Sequence, residues 1–309
     1  MVRIIGFLVG LAFAGVLLIS LFVGVSNTLS SPPAATAEEE FHKEELKPLH
    51  LASDGPFGTF DKQQLQRGFQ VYKEVCSACH SLTHVAFYDL EQLGYSEAEI
   101  KAIANQWATE VPSVNPETGE AATRKALPSD HFPAPYANEV AARAANNNAL
   151  PPDLSLITKA REGGAAYVHS LLTGYQNQPA ELLRKFPTAK TPENLHYNPY
   201  FANLNIAMPP PLVSDGQVQY APGNPAPTVD QMATDVSAFL VWAAEPKLAN
   251  RHAAGLAVVV FLLFGTVLGY LAYKNVWAEA KRKVRVTGAI APENKAKRAR
   301  ATRKAGVTE

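Results

Sequence analysis

The sequence predicts a mainly α-helical domain that is carried across a membrane and held there by one C-terminal transmembrane helix. Three observations support this fold class. A long uncharged segment lies near the C-terminus, apolar residues upstream of it recur at helical spacing behind capping signals, and neither a strong alternating strand pattern nor an internal repeat is present. The 309 residues suit one or two domains.

The predicted anchor is Ala253–Tyr273, a run of 21 residues without a charge. About 20 apolar residues in a helix span a bilayer core, and this run lacks the polar stripe of a soluble amphipathic helix. Tyr270, Tyr273 and Trp277 lie where an interfacial aromatic belt is expected. We therefore predict a membrane-anchored protein.

The charge distribution predicts the orientation of that anchor. Residues 38–250 hold 25 Asp and Glu against 15 Lys and Arg, a net charge of −10, whereas residues 251–309 hold 3 against 12, a net charge of +9. Basic flanks stay on the cytoplasmic side. We expect residues 251–283 to form the anchor and its cytoplasmic extension, residues 284–309 to form a loosely ordered basic tail, and no nucleic-acid partner.

The N-terminus carries a second apolar run, Ile4–Val25, preceded by Arg3. It resembles an export signal, with a cleavage candidate at Ala35-Thr36-Ala37, although the run is longer than the usual signal core. We favour a cleaved signal over residues 1–37 and keep an uncleaved first anchor as the alternative. Because the segment is not an Arg-rich transit peptide, residues 38–250 are predicted to form a periplasmic domain at a bacterial inner membrane.

The elements of the exported region follow from caps and spacing. Leu65, Phe69, Tyr72 and Cys76 recur on one face of the first helix, which Asp61 can cap. Prolines and polar residues predict a surface loop at 111–135 and irregular structure at 176–227. Ser96 and Thr228 are the predicted N-caps of two later helices, and the prolines and Asp153 are the start signals of a short one. The predicted helices are Asp61–Cys76, residues 96 to about 109, Tyr136–Ala145, a short helix after Pro151-Pro152-Asp153, Gly163–Thr173, and residues 228 to about 245.

The most specific motif is Cys76-Ser77-Ala78-Cys79-His80, whose C-x-x-C-H spacing is the attachment signature of a c-type haem. Cys76 and Cys79 are the only cysteines, so one site consumes both. A redox C-x-x-C would need a βαβ context that is not seen, and a zinc site would need two further ligands. We predict one covalently bound haem c, with His80 as an axial iron ligand.

The second axial ligand decides whether the iron site is open or closed. The only methionines beyond Met1 are Met208, in front of Pro209-Pro210-Pro211, and Met232, in the first turn of a helix. Three prolines fix the backbone and suit a rigid strap that holds a thioether, whereas Met232 suits core packing. We favour Met208 and leave open the competing histidines, which are His42, His50, His131, His169, His196 and His252.

Several blocks together resemble the cytochrome c1 family, the haem subunit of the cytochrome bc1 complex. The resemblance covers about residues 55–280 and includes the final helix, Met232 to Trp242, with its anchor. Its further blocks are Arg67–Tyr72, Ala141–Asn147, Leu150–Ser155, Ser170–Tyr175, Asn198–Phe201 and Ile206–Pro211. The resemblance implies a cytochrome c-like haem domain.

The resemblance also implies particular haem contacts. It implies Met208 as the sixth iron ligand and Arg143 as a partner of a haem propionate, with Asn147 near the haem and Pro151 and Pro152 lining its edge. The chain departs from the family at position 148, where Asn replaces the usual glycine. Asparagine is the side chain that best tolerates a positive φ, so the turn can survive.

The function implied by the resemblance is a one-electron relay rather than catalysis by this chain alone. A Rieske iron–sulfur protein would reduce the haem, cytochrome b would be a partner subunit, and a cytochrome c would accept the electron in a respiratory or photosynthetic chain, within a dimeric quinol–cytochrome c oxidoreductase. Two alternatives remain open, namely a haem sensor or peroxidase with an open iron site, and the cytochrome subunit of another membrane oxidoreductase.

Overall fold

A computed structural model describes residues 2–31, 34–283, 296–297 and 300. These residues belong to two compact units, one formed up to residue 54 and by residues 59–246, the other by residues 55–58 and from residue 247 onward. The mainly α fold class is confirmed. The α-helices are α1 (Val2–Ser30), α2 (Ala37–Phe41), α3 (Lys62–Glu74), α4 (Glu97–Asn105), α5 (Glu139–Ala145), α6 (Ile157–Ala160), α7 (Gly164–Leu172), α8 (Ala180–Lys185), α9 (Val229–Ala244) and α10 (Leu248–Lys283).

The remaining regular structure is short. Strands β1 (Val111–Val114) and β2 (Ala121–Arg124) pair antiparallel, as do β3 (His196–Tyr197) and β4 (Asn205–Ile206). The 3-10 helices are Cys76–Ala78, Phe87–Leu93 and Pro187–Ala189. The larger unit is therefore a helical domain with two small hairpins.

The predicted N-caps of three helices are confirmed. The Asp61 carboxylate accepts from the backbone N–H groups of Gln63 and Gln64 at the start of α3. Ser96 and Glu99 form a reciprocal capping box on α4, and the Thr228 hydroxyl accepts from Gln231 N on α9. Each cap satisfies N–H groups that have no partner inside the helix, which fixes where the helix begins.

Helix α3, which leads into the cysteine motif, packs directly against α9. At the crossing, Gly68 has no side chain between the two backbones. A Cβ built on Gly68 would overlap the carbonyl oxygen of Asp235 and lie 2.7 Å from the Cβ of Phe239. The absence of a side chain at this position therefore sets how closely the two helices approach.

We expect Gly68→Ala to destabilise the larger unit, although alanine is the better helix former by about 1 kcal/mol. The added methyl group must push α3 from α9, and such overpacking costs about 1–3 kcal/mol. The measurement is the thermal unfolding midpoint of the purified full-length protein, with the exposed Lys73→Ala on the same helix as control. A midpoint that rises in Gly68→Ala would contradict this account of the crossing.

A buried ion pair joins the same two helices. Arg67 on α3 donates from Nε and Nη2 to the two carboxylate oxygens of Asp235 on α9, at 2.8 and 3.1 Å. Asp235 is fully buried, and Gln231 Nε2 donates to the same carboxylate at 2.9 Å. Because two charges removed from water need this full set of partners, the pair fixes the register of α3 against α9.

An aromatic cluster forms the core behind α3. Phe69 contacts Tyr95, Trp107, Phe132 and Phe239 with ring centroids 5.7–6.5 Å apart. Further ring pairs extend the cluster to Tyr72, Phe87 and Trp242. The predicted apolar face of the first helix is confirmed, since its residues Leu65, Phe69 and Tyr72 are buried.

Four sequence-based expectations for the secondary-structure elements are corrected. The segment 111–135, expected as a loop, holds the β1–β2 hairpin, and the segment 176–227, expected to be irregular, holds α8, a 3-10 helix and the β3–β4 pair. The helix expected from Tyr136 begins only at Glu139, because Asn138 caps it through Ala141 N. The helix expected to reach about residue 109 ends at Asn105, and Trp107 then turns into the aromatic cluster.

The boundary predicted after residue 37 lies within a folded segment. Thr36 and Glu39 form a capping box on α2, and Ala37 is buried in a second small core with Leu182, Tyr197 and Leu204. The segment is held further by an ion pair between Glu40 and Lys185. A proteolytic cut after Ala37 would therefore remove both the cap and the first residue of α2.

Two described helices are long and apolar enough to span a membrane, Val2–Ser30 and Leu248–Lys281, and no residue of either apolar window is buried. The second contains the predicted anchor Ala253–Tyr273. The first contains the run interpreted as an export signal, and both an export signal and an uncleaved anchor meet this criterion of length and hydropathy. The basic tail at 284–309 lies outside the described residues except for positions 296, 297 and 300.

Candidate functional site

The C-x-x-C-H motif forms one tight turn at the end of α3. The α-helix ends at Glu74, and Cys76–Ala78 continues it as a 3-10 helix. The backbone N–H groups of Cys79 and His80 both donate to Cys76 O, at 3.1 and 2.9 Å. Neither cysteine is in a disulfide. Two sulfur atoms and one imidazole are thus presented from a single turn.

The thiol environment disfavours the redox and zinc interpretations of the motif. Burial, with a smaller contribution from the neighbouring Cys79, raises the pKa of the Cys76 thiol to about 12. A dithiol that exchanges disulfides needs a thiolate, and its pKa is lowered rather than raised. Within the described part of the chain, no group of three or more His, Cys, Asp or Glu residues could hold a metal ion.

The imidazole of His80 is oriented by a hydrogen bond to Pro152. Its Nδ1 lies 2.8 Å from the carbonyl oxygen of Pro152, and because a carbonyl only accepts, Nδ1 carries the proton. The other nitrogen, Nε2, then keeps its lone pair for a metal. Burial lowers the pKa of His80, although the Pro152 bond opposes this, so the neutral ring that can bind iron is favoured.

The backbone of His80 is hydrogen-bonded to a tyrosine of the aromatic cluster. The hydroxyl group of Tyr72, one of the buried residues of α3, donates to His80 O at 3.2 Å. Burial raises the pKa of Tyr72, so the hydroxyl stays protonated and can donate. Backbone and ring of His80 are therefore fixed independently, by Tyr72 and by Pro152.

Met208 follows β4 and is half-buried. Tyr175, just beyond the end of α7, donates its hydroxyl to Met208 O at 3.0 Å, and burial raises the pKa of that tyrosine. Met232, by contrast, is fully buried within the core of the larger unit. The packing interpretation of Met232 is confirmed, and Met208 stays the predicted thioether ligand.

Several competing histidines have a ring nitrogen bound to protein groups. His169 Nε2 lies 3.0 Å from a carboxylate oxygen of Asp230, and His131 Nδ1 lies 2.7 Å from Thr83 O. His252 Nδ1 lies 3.0 Å from Gly58 O. Each contact occupies one ring nitrogen and leaves the other free, as the Pro152 contact does in His80, so these three histidines stay open as alternative ligands.

Arg143 lies on the exposed side of α5, where its Nη1 donates to Asn148 O at 3.1 Å. Asn147 and Asn148 adopt left-handed φ angles of 52° and 64°, and Asn148 N donates to Arg143 O. The expectation that asparagine supports this turn is therefore confirmed. The contact of Arg143 with a haem propionate and that of Asn147 with the haem stay predictions.

The two prolines expected at the haem edge have different surroundings. Pro152 is exposed and supplies the carbonyl oxygen bound to His80, whereas Pro151 is half-buried. Tyr72 and Tyr175 also contact the backbone of His80 and Met208, and neither was predicted as a functional residue. The position of Tyr72 on the apolar face was the only sequence signal for it.

One pocket of about 510 Å³ lies beside the segment that follows Met208. None of Cys76, Cys79 or His80 lines it. Its lining residues are Tyr175, Gln176, Asn177, Gln178, Thr191, Leu195, His196, Tyr197 and Pro210. It is thus separate from the surroundings of the cysteine motif.

The donor set of the motif fits a covalently attached haem. Two cysteines that share one turn and form no disulfide suit two thioether bonds, and an imidazole that donates from Nδ1 suits one axial position through Nε2. Comparison with known protein families agrees with a haem-binding interpretation of the motif. The sequence model described as the Cytochrome C1 family matches residues 51–280.

The chain belongs to the cytochrome c1 family. It is 45% identical over 236 residues to the protein named cytochrome c1 of Rhodospirillum rubrum, covering 74% of this chain and 85% of that relative. It is 42% identical over 261 residues to the protein named cytochrome c1 1, heme protein, mitochondrial, of Arabidopsis thaliana, covering 84% and 81%. A Bradyrhizobium diazoefficiens protein named cytochrome b/c1 is 44% identical over 241 residues, covering 73% of this chain and 34% of that longer relative.

Membership of the cytochrome c1 family supports the coarse function. Members are haem proteins with covalently bound haem, and they are electron-transfer subunits of the bc1 complex, a quinol–cytochrome c oxidoreductase. This chain is therefore a cytochrome c1-type electron-transfer subunit with an apolar C-terminal helix that is a candidate membrane anchor.

Proposed function

We propose that Cys76 and Cys79 hold one haem c through thioether bonds, with His80 and Met208 as the axial iron ligands. The observation that carries the proposal is the turn itself, in which both thiols and a correctly oriented imidazole come from five consecutive residues. The haem supplies one-electron chemistry when it is bound. The protein residues attach it, orient the ligands and exclude solvent. Arg143, Asn147, Pro151 and Pro152 are proposed as further haem contacts.

We further propose the electron donor, the electron acceptor and the partner subunit of this protein. A Rieske iron–sulfur protein delivers the electron, and a soluble or anchored cytochrome c accepts it. Cytochrome b is proposed as a partner subunit, which the name cytochrome b/c1 of the Bradyrhizobium relative supports. The assembly is proposed to be dimeric. Copurification in mild detergent tests this, since a different set of membrane subunits would favour the alternative of another oxidoreductase.

The proposed location is a bacterial inner membrane, with residues 38–250 in the periplasm and the basic tail in the cytoplasm. Helix α10 spans the bilayer in this proposal, and the arginine- and lysine-rich segment that follows it stays inside. Accessibility of an engineered cysteine in the tail to a membrane-impermeant thiol reagent, with and without permeabilisation, tests the orientation. Labelling of intact cells would contradict it.

The open-iron alternative is tested by carbon monoxide. A haem closed on both faces by His80 and Met208 binds this ligand slowly or not at all in the reduced native protein, whereas a sensor or peroxidase binds it readily. We expect little change in the visible spectrum when carbon monoxide is added to the reduced protein. Rapid and complete binding would mean that Met208 is not a firm ligand.

The acidic surface predicts how the electron acceptor approaches. The exported region carries a net charge of −10, and Glu38, Glu39 and Glu44 are exposed near its N-terminus. Such a field can steer a basic acceptor and raise the encounter rate, although the same charges also keep the domain soluble. We expect the second-order rate of acceptor reduction to fall as ionic strength rises. A rate that does not depend on ionic strength would mean that the acidic residues serve only to keep the domain soluble.

A further inference from the structure

A dense set of hydrogen bonds joins the segment that begins at His80 to the segment that begins at Pro152. Leu154 N donates to Ser81 O at 2.9 Å, and His84 N donates to the buried Ser155 hydroxyl at 3.1 Å. Together with the contact between His80 Nδ1 and Pro152 O, these bonds align residues 80–84 with residues 152–155. The residues that these bonds join are 70 or more positions apart in sequence.

Asp153 is the centre of this set. One of its carboxylate oxygens, Oδ2, accepts from Ser81 Oγ at 2.8 Å, from Thr83 N at 2.9 Å and from Thr83 Oγ1 at 3.0 Å. The other oxygen, Oδ1, accepts from Ser155 N at 2.8 Å, within its own segment. One side chain thus binds both segments, and it directly follows the residue whose carbonyl oxygen orients His80.

The position of Pro152 O depends on this side chain. Pro152 has a fixed φ and no N–H, so its own backbone cannot bond to the 80–84 segment except through that carbonyl. Asp153 and Leu154 supply the bonds that hold the adjoining peptide in place. We propose that Asp153 is a positioning residue, which holds Pro152 O against His80 Nδ1–H and thereby fixes the orientation and donor strength of the imidazole.

This inference rests on the proposed role of His80 as an iron ligand. A hydrogen bond from Nδ1–H to a carbonyl oxygen makes the imidazole a stronger donor, which favours the oxidised iron. Loss of the bond is therefore expected to raise the reduction potential and to alter the low-spin signal of the oxidised protein, which depends on ligand orientation. If Asp153 only stabilised the local fold, its replacement would change neither the reduction potential nor the low-spin signal.

The experiment must distinguish the effect of the Asp153 charge on the reduction potential from the effect of its hydrogen bonds. The double variant Ser81→Ala with Thr83→Val keeps the carboxylate but removes two of its three partners in the 80–84 segment. Asp153→Ala removes the carboxylate as well. The matched control is Asp215→Asn, which removes the same charge from a carboxylate that accepts from the backbone N–H of Val229, at the start of α9.

The experiment is a redox titration of the full-length protein in its purified membrane complex, with electron paramagnetic resonance of the oxidised state and the amount of covalent haem as parallel readouts. We expect the double variant and Asp153→Ala to raise the potential and to shift or broaden the low-spin signal, with covalent haem retained. Asp215→Asn should leave both readouts unchanged. Single variants at Ser81 or Thr83 give a smaller shift and serve if the double variant fails to accumulate.

Two failures are distinguishable. A double variant with wild-type potential and wild-type resonance signal overturns the role of Asp153, as does a shift in Asp153→Ala that Asp215→Asn reproduces. A wild-type protein without covalent haem or without a histidine-ligated low-spin signal overturns the proposed function instead.

Discussion

Met208→Leu is expected to retain covalent haem and to lower the reduction potential by about 0.1 V or more, within the ~0.8 V range over which axial ligands tune haem iron. A thioether is a weak donor that stabilises the reduced state, and leucine has no donor atom to replace it. Water or another side chain would then reach the iron, and the reduced protein should bind carbon monoxide. Redox titration and the visible spectrum measure both effects.

The matched control for this change is Met232→Leu. Met232 is fully buried in α9, so leucine removes a sulfur atom from the core of the same unit and keeps a similar volume. We expect the potential of this variant to equal that of the wild type. An unchanged potential in Met208→Leu would show that another residue holds the iron, and the competing histidines would be examined next.

Replacement of both thiols, Cys76→Ser with Cys79→Ser, is expected to abolish covalent haem attachment. Each thioether needs a cysteine sulfur, and the chain has no other cysteine to substitute. The loss should also lower the accumulated amount of the protein, because the haem is expected to cover the apolar surface beside α3. Haem staining of denatured protein, with immunodetection of the chain, measures the two effects separately.

Each single serine variant should weaken attachment or prevent normal maturation, because only one of the two thioether bonds can then form. Ser77→Ala is the control, since Ser77 lies between the cysteines and donates only to Lys73 O, at 2.7 Å. It should retain wild-type haem staining. Full covalent haem in the double serine variant would show that the attachment site lies elsewhere.

The sequence predicted those parts of the fold that depend on local signals. Asp61, Ser96 and Thr228 are strong N-caps followed by periodic apolar residues, and the helices begin where these residues indicate. Helix ends were less predictable. The chain leaves α4 at Gln106 because Trp107 packs among Phe69, Phe87 and Phe132, which is a tertiary contact without a local signal.

Strands β1 and β2 could not be predicted because they are short and mostly exposed, and β3 and β4 have only two residues each. Strands β1 and β2 have four residues each, and the exposed Ala121 and Ala122 provide no alternation of apolar and polar side chains. Gly119 adopts a left-handed φ of 74° in the turn between them. The pairing depends on that turn and on backbone bonds, which composition alone does not indicate.

In the candidate site, too, the features with a local sequence signal were predicted, and those that depend on tertiary contacts were not. The motif predicted Cys76, Cys79 and His80 from their spacing, which is entirely local. The bonds that orient His80 come from Tyr72 and from residues 152–155, and only the fold brings the latter segment to the motif. Asp153 was interpreted as a helix start signal, but its carboxylate binds Ser81 and Thr83 instead.

The central claim is that a haem is bonded covalently to Cys76 and Cys79. The most direct measurement is extraction of the purified, denatured protein with acidic organic solvent, followed by mass spectrometry of the peptide that contains residues 76–80. We predict that the pigment stays with the protein and that the peptide is heavier by the mass of one haem. A colourless protein after extraction, with the peptide at its unmodified mass, would contradict the account.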